Sequence, residues 1–218
     1  MKISEYKKFY GYDCQVPLIS VLVTNYNYGS YVGRCIRSLL DQSLDEDIYE
    51  IIVVDDGSTD SSKEVISIFK DEIRIIEMTK NEGLSVAANL GLKAARGRYV
   101  VRVDSDDYVH PDFLKVLTVA FELLGDQTDA ISCDYFKVSE LGEILSRGDQ
   151  KIEPIACGVA FKAEVFERLG YYNEGIQIYE EVDFMKKFNA SGLRKIEVNL
   201  PLYRYVQHEK SLTRRIPK

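Results

Sequence analysis

Three aspartates, Asp104, Asp106 and Asp107, crowd the end of the apolar run Tyr99 to Val103. Carboxylates this close repel one another and raise one another's pKa unless protons or a cation compensate. A divalent metal is the natural remedy. Oxygen-only ligands favour magnesium or manganese, held by one or two carboxylates, with water and phosphate oxygens filling the remaining positions. On this reading Asp104 and Asp106 are the metal pair, whereas Asp107 alone fits a turn or helix cap equally well. A second acidic loop, Asp55-Asp56-Gly57-Ser58-Thr59-Asp60, follows the apolar run Ile51 to Val54. A carboxylate there can accept hydrogen bonds from a base or ribose, and the same Ser-Thr-Asp string can cap a helix.

Both loops need a scaffold that brings them to one place. Leu18 to Thr24 is a short β-branched apolar run that stops at Asn25-Tyr26-Asn27-Tyr28-Gly29, which is turn chemistry. Tyr31 to Leu40 carries Val32, Cys35, Ile36, Leu39 and Leu40 at helical spacing, and Ile51 to Val54 reads as the next buried strand. A helix over Ser61 to Phe69, a strand over Ile73 to Glu77, a helix over Leu84 to Ala95 and a strand over Tyr99 to Val103 complete the alternation. Short, non-amphipathic strands alternating with helices predict an α/β fold, a mainly parallel, Rossmann-like sheet flanked by helices. Ligands bind such sheets beyond the carboxyl ends of the strands. The loops Asn25 to Gly29, Asp55 to Asp60, Lys80 to Gly83 and Asp104 to Asp107 each follow a strand, so they are expected along one edge.

The later part of the chain reads differently. A helix over Pro111 to Leu124 and a strand over Ala130 to Tyr135 precede a hairpin turn at Leu141-Gly142-Glu143. A Gly-rich apolar stretch (Cys157 to Phe161), a short helix (Lys162 to Leu169), the turn Tyr172 to Gly175, a helix from about Glu180 and a closing strand near Leu202 to Tyr205 follow. The expected organisation is one domain over 1–218, in two parts, 1–135 and 136–218. The segment from Ser139 to Lys151 is the expected cover over the site.

With 218 residues and 45% hydrophobic composition the chain can bury a full core. No apolar run is long enough to span a bilayer, and Met1 to Tyr10 lacks a signal-peptide core, so a cytoplasmic protein is expected. Cys14, Cys35, Cys133 and Cys157 are scattered, without metal-site spacing, and are read as reduced. A net charge of -7 argues against a nucleic-acid partner. The basic C-terminus (Arg204, Lys210, Arg214, Arg215 and Lys218 against Glu209) fits either peripheral contact with an anionic membrane at its inner face or a solubilising end.

The blocks VTNYNYGSYVGRCIRSLLDQS, IIVVDDGSTDSS and KNEGLSVAANLGLKAARGRYVVRVDSDD, in this order and spacing, resemble the family 2 glycosyltransferases, which share the GT-A fold. The resemblance covers about Pro17 to Arg214. It implies that Thr24 and Asp56 hold the nucleotide base and ribose, with Asn25 and Tyr26 nearby. Lys80, Gly83 and Asn89 line the nucleotide side, and Asp104 and Asp106 are the DXD pair on the metal that bridges the diphosphate.

Further along, CGVAFKAEVFERLGYYNEG is similar to the family's acceptor-side segment, and the start of the following helix, at Tyr179-Glu180-Glu181-Val182-Asp183-Phe184, resembles the stretch that carries the base. Glu181 is the implied base, standing where the family usually has Asp, with Glu180 and Asp183 as fallbacks. All three acids would also suit the first turn of a helix through its dipole. The stretch Tyr203 to Thr213 resembles the family's closing segment, which implies a metal or phosphate contact for His208, while His110 is expected in a surface loop.

The implied chemistry is inverting transfer of a sugar from a nucleoside diphosphate, UDP above GDP or dTDP, to a glycan or lipid-linked acceptor. Surface polysaccharide or lipopolysaccharide assembly is the implied setting. A nucleotidyltransferase or phosphatase would carry its acidic ligands after the first strand, and a dehydrogenase would show GxGxxG after a strand. A degenerate, nucleotide-sugar-binding module is the non-enzymatic alternative.

Overall fold

The computed structural model describes residues 16–176, 179–209 and 211. Cys14, the polar lead-in and the tail residues Lys210, Arg214, Arg215 and Lys218 lie outside them. The first strand-helix alternation is β1 (Ile19–Asn25), α1 (Gly29–Leu40), β2 (Tyr49–Asp55), α2 (Ser62–Ser67), β3 (Arg74–Glu77), α3 (Leu84–Ala94) and β4 (Tyr99–Asp104). Then come β5 (Tyr108–Val109), α4 (Phe113–Leu124), the hairpin β6 (Ala130–Ser139) and β7 (Ile144–Gly148), β8 (Val159–Lys162), α5 (Ala163–Leu169), α6 (Glu180–Ala190) and β9 (Lys195–Gln207).

One sheet runs in the order β3-β2-β1-β4-β8-β6-β9-β5, with β7 on the side of β6. The block β3-β2-β1-β4 is parallel throughout. Beyond β4 the pairing is mixed: β8 is antiparallel to both β4 and β6, and β9 is parallel to β6. The GT-A expectation of a sheet between helices therefore holds, and the break in alternation coincides with the change in pairing.

Each central strand is buried on both faces, which explains its lack of amphipathic pattern. Ile19, Val21 and Val23 join Ile51 and Val53 in a core under α1 and α4, with Ile36, Leu39, Leu117 and Phe121. Leu22, Ile52 and Val54 face the other way, onto Ala87 and Ala88 of α3 and the aromatic group Phe161, Phe166, Phe184 and Phe188. At Gly91 an added Cβ would lie 2.1 Å from a Leu22 methyl, so this glycine lets α3 sit directly on β1.

Two expectations change. The closing strand is longer than Leu202 to Tyr205, running from Lys195 to Gln207 beside β6. The expected cover, Ser139 to Lys151, contains the paired strand β7, and Glu140 in it is tied to α1 where Tyr31 Oη donates to Glu140 and Arg34 Nη1 donates to the Glu140 carbonyl at 2.9 Å. Cys35, Cys133 and Cys157 are buried free thiols. Among the described residues no helix is long and apolar enough to cross a membrane.

Candidate active site

The carboxyl ends of β1, β2 and β3 are sewn into one surface by their own loops. Asn25 Nδ2 donates to Asp55 Oδ1 at 2.9 Å and to Ser58 Oγ at 3.2 Å. Asn27, at a φ of 57°, turns its side chain back to accept from the Thr59 amide at 2.8 Å. Asp56 accepts from the Glu82 amide (2.8 Å) on one oxygen and from the Gly83 amide (2.9 Å) on the other. Gly57, at a φ of +68°, passes so close to the next loop that a Cβ would lie 2.5 Å from the Lys80 carbonyl carbon. Burial raises the Asp56 pKa, the two amide hydrogen bonds oppose it, and the charges of Asp55 and Glu82 add to it.

Within this surface Thr24 and Asn25 are buried and the Tyr26 ring is exposed. Lys80 extends into solvent against Glu82 at 3.0 Å. Asn89 is committed elsewhere. Its amide donates to the Tyr172 carbonyl at 2.9 Å and to Glu174 at 3.0 Å, and its carbonyl accepts from the Tyr172 amide at 3.0 Å. Asn89, which the resemblance places on the nucleotide side, fastens the Tyr172 to Glu174 turn onto α3.

Parallel pairing sets Thr24 opposite Asp104, so the acidic cluster begins beside the β1 loop. Carboxylate oxygens of Asp104, Asp106 and Asp107 lie within 4.8 Å of one another. Asp107 turns inward and is fully engaged, accepting from Tyr203 Oη at 2.7 Å and from the Val206 amide at 2.8 Å. Burial, then the charges of Asp106 and Asp104, push its pKa well above the ordinary value despite those bonds. Burial also raises Asp104; Arg102, with Nε 3.4 Å from Oδ1, pulls it back, and Asp106 pushes it further up.

Asp106 meets His208, whose Nε2 lies 2.9 Å from Oδ2. The His208 ring is stacked on Tyr31 at a centroid distance of 4.5 Å, with the edge of Tyr28 at 5.8 Å. Its Nδ1 is buried and has no hydrogen-bond partner among the described residues. Two carboxylates with oxygens to spare, a neighbouring imidazole, and repulsion that Arg102 only partly offsets fit a hard divalent cation. His110, by contrast, stands in the turn between β5 and α4, its Nδ1 accepting from the Asp112 amide at 3.1 Å.

The start of α6 brings three acids toward this cluster, and the structure separates them. Glu180 is buried and paired with Arg102 Nη1 at 2.6 Å. Asp183 is paired with Lys187 at 2.9 Å along the helix. Glu181 has neither kind of partner among the described residues. Burial and the adjacent Glu180 raise its pKa, Arg102 lowers it, and Asp104 is close enough to raise it again.

Two residues that position this site, Arg102 and Tyr203, were not singled out from the sequence. Arg102 had a visible mark, a lone charge inside the apolar run Tyr99-Val100-Val101-Arg102-Val103. Tyr203 opens the closing stretch that the family resemblance marks, but nothing local shows its role, because its partners Asp107 and the Asp104 amide (3.2 Å) are about a hundred residues away.

A sequence profile described as Glycosyl transferase family 2 matches residues 20–196, most of the chain. The chain belongs to glycosyl transferase family 2. Among its curated family 2 relatives, the uncharacterized glycosyltransferase EpsJ of Bacillus subtilis is 32% identical, covering 91% of this chain and 63% of the relative. The putative glycosyltransferase EpsH of the same organism is 35% identical over 56% of this chain and 34% of the relative. This chain thus spans from about a third to under two thirds of these first relatives.

Solved structures agree on the fold. TarS 1-349 of S. aureus in complex with UDP-GlcNAc superposes with a TM-score of 0.78 at 21% identity, over 88% of this chain and 59% of that one. The mannosyltransferase PcManGT of Pyrobaculum calidifontis, in complex with GDP-Man and Mn2+, gives 0.71 at 22% identity, over 89% and 58%. The fold is GT-A.

Proposed function

We propose that this family 2 chain transfers a sugar from a nucleoside-diphosphate donor, UDP-linked by preference, to an acceptor hydroxyl with inversion at the anomeric carbon. The observation that carries the reading is the sorting of acids at the start of α6. Glu180 and Asp183 are ion-paired with Arg102 and Lys187, while Glu181 has no ion-pair partner among the described residues and is near enough to Asp104 for that charge to raise its pKa. A carboxylate with a raised pKa and no direct ion-pair partner suits proton abstraction from the attacking hydroxyl.

Thr24, Asn25, Tyr26, Asp56, Lys80 and Gly83 form the nucleotide side, with the exposed Tyr26 ring available to the base. Asp104 and Asp106, with His208 adjacent, would hold Mn2+ or Mg2+. Such an ion offsets the charge that develops on the departing diphosphate. Solved relatives of this fold that carry UDP-GlcNAc, or GDP-Man with Mn2+, support a nucleotide-sugar and a divalent cation here. Residues 1–135 serve the donor and 136–218 the acceptor. Polysaccharide-related family members, among them the hyaluronan synthase of Pasteurella multocida, support surface glycan assembly. The acceptor is a glycan or lipid-linked sugar at the cytoplasmic face of the membrane, which the basic C-terminal residues would touch.

Calorimetric titration of UDP, GDP and dTDP, with and without Mn2+, tests the donor half of this reading. One nucleotide should bind with a requirement for metal, and Asp106→Asn should lose it. If no nucleotide binds under any condition, the donor-site assignment is wrong.

A further inference from the structure

The residue that the proposed chemistry leaves unexplained is Arg102. It sits in β4, buried, two positions before Asp104, where a strand between two apolar faces would ordinarily carry Val or Ile. Its Nη1 lies 2.6 Å from Glu180 and its Nε 3.4 Å from Asp104, while the guanidinium faces the Tyr172 ring at 5.7 Å. Glu180 is wholly buried and its second oxygen has no hydrogen-bond partner among the described residues. Desolvating both ions consumes most of their mutual attraction, so a buried pair of this kind is weak as a source of stability. What it fixes is geometry.

We propose that Arg102 is a positioning residue for the base, locking the helix that carries Glu181 to the strand that carries Asp104. This rests on the reading of Glu181 as the base. Helix α6 starts after Tyr179 in the left-handed region, at a φ of 67°, and has no side-chain cap. Its apolar grip comes from further along, through Phe184 and Phe188 against Phe161 and Phe166. Its first turn is therefore held by the Arg102–Glu180 pair. Successive helical residues are about 100° apart around the axis, so fixing Glu180 inward fixes the direction of Glu181 as well. The same guanidinium touches Asp104, so base and metal ligand share one reference point. Glu180 is then the anchor of the helix, which explains why a second acid precedes the base.

The test replaces the ion pair by apolar side chains of similar volume, Arg102→Met with Glu180→Leu. A pair with a merely structural role is replaced without loss, and kcat stays within about twofold, which overturns the proposal. A positioning role leaves the double variant as thermally stable as the parent while kcat falls by about 10²-fold, the cost of an ångström-scale misplacement. Glu180→Gln, which keeps the shape and one hydrogen bond, covers the case in which the double variant fails to fold. It should lower kcat by about tenfold with nucleotide affinity held within about twofold, and an unchanged kcat overturns the proposal. Glu181→Gln runs alongside. If that variant keeps full activity, the base assignment itself fails and takes the proposal with it. If it is inactive while the Arg102 and Glu180 variants are not, only the positioning role fails.

Discussion

The two ends of the parallel strands treat buried carboxylates in opposite ways. At the amino end, Glu50 of β2 accepts from Ser20 Oγ (2.7 Å), Arg74 Nη1 (2.7 Å), the Arg96 amide (2.8 Å) and Arg96 Nη2 (2.9 Å). Burial alone would raise its pKa, but these bonds outweigh it and hold the group below its ordinary value. At the carboxyl end, Arg102 serves Asp104, Glu180 and Glu181 together while Asp106 and Asp107 add further charge, and the pKa values of Asp104, Asp107 and Glu181 are raised. A saturated carboxylate holds the fold; an unsaturated cluster stores an affinity for something that is not protein. The same strands carry both, which is how a rigid edge can support a strained one.

The largest expected effect falls on the unsaturated end. Glu181→Gln removes the proposed base without removing volume, and kcat should drop by about 10²–10⁴-fold while metal-dependent nucleotide affinity is kept. Single-turnover assays of donor consumption, paired with calorimetry, check this. Equal loss of binding and turnover would break the distinction between the base and the donor site.

At the saturated end the effect should be on stability alone. Glu50→Ala removes the acceptor of the Ser20 hydroxyl and of the Arg74 and Arg96 guanidinium groups and should cost about 1–3 kcal/mol in denaturant unfolding. Nucleotide affinity of the folded fraction should stay as it was, because the network lies at the far end of the strands. A variant that kept its stability but lost nucleotide binding would overturn the division of labour.

Asp106→Asn gives a smaller change of the opposite sign. It removes one of the repelling charges, so the metal-free protein should gain up to about 1 kcal/mol, the scale of a relieved like-charge contact. The rise in Tm that Mn2+ brings to the parent should vanish, as stabilisation by a ligand requires its site. Differential scanning fluorimetry with and without Mn2+ reads both.

The parallel half was legible because its information is local: apolar runs end in turn chemistry, and the alternation itself implies one shared edge. Resemblance supplied the candidate roles, and local chemistry then shows which side chains are free for them. The hydrogen-bond partners of Asn89 and Glu180 are not legible in the sequence, because Tyr172 and Arg102 are 83 and 78 positions away. The length of β9 was hidden for a related reason. Its first part, Lys195 to Leu200, is only partly buried, Pro201 interrupts the pattern, and its pairing with β6 shifts register at Asp134. Nothing within the strand announces a partner that distant.

The weakest expected effect is also the one that separates the two ends in a single experiment, the pH dependence of Tm. Glu50 binds protons less readily folded than unfolded, so its contribution is complete above its ordinary pKa of 4.5 and is lost as pH falls through the lower folded value. Asp104 and Asp107 bind protons more readily when folded, so their penalty is absent below their ordinary 3.8 and grows as pH rises through the raised values. Going down from neutral pH, the metal-free protein should first gain stability as the carboxyl end is relieved, then lose it as the amino end is protonated. Mn2+ should flatten the first limb, because a bound cation already compensates the cluster, and Glu50→Gln should flatten the second. If both treatments acted on the same limb, the carboxylates of the two ends would have to be energetically coupled through the strands.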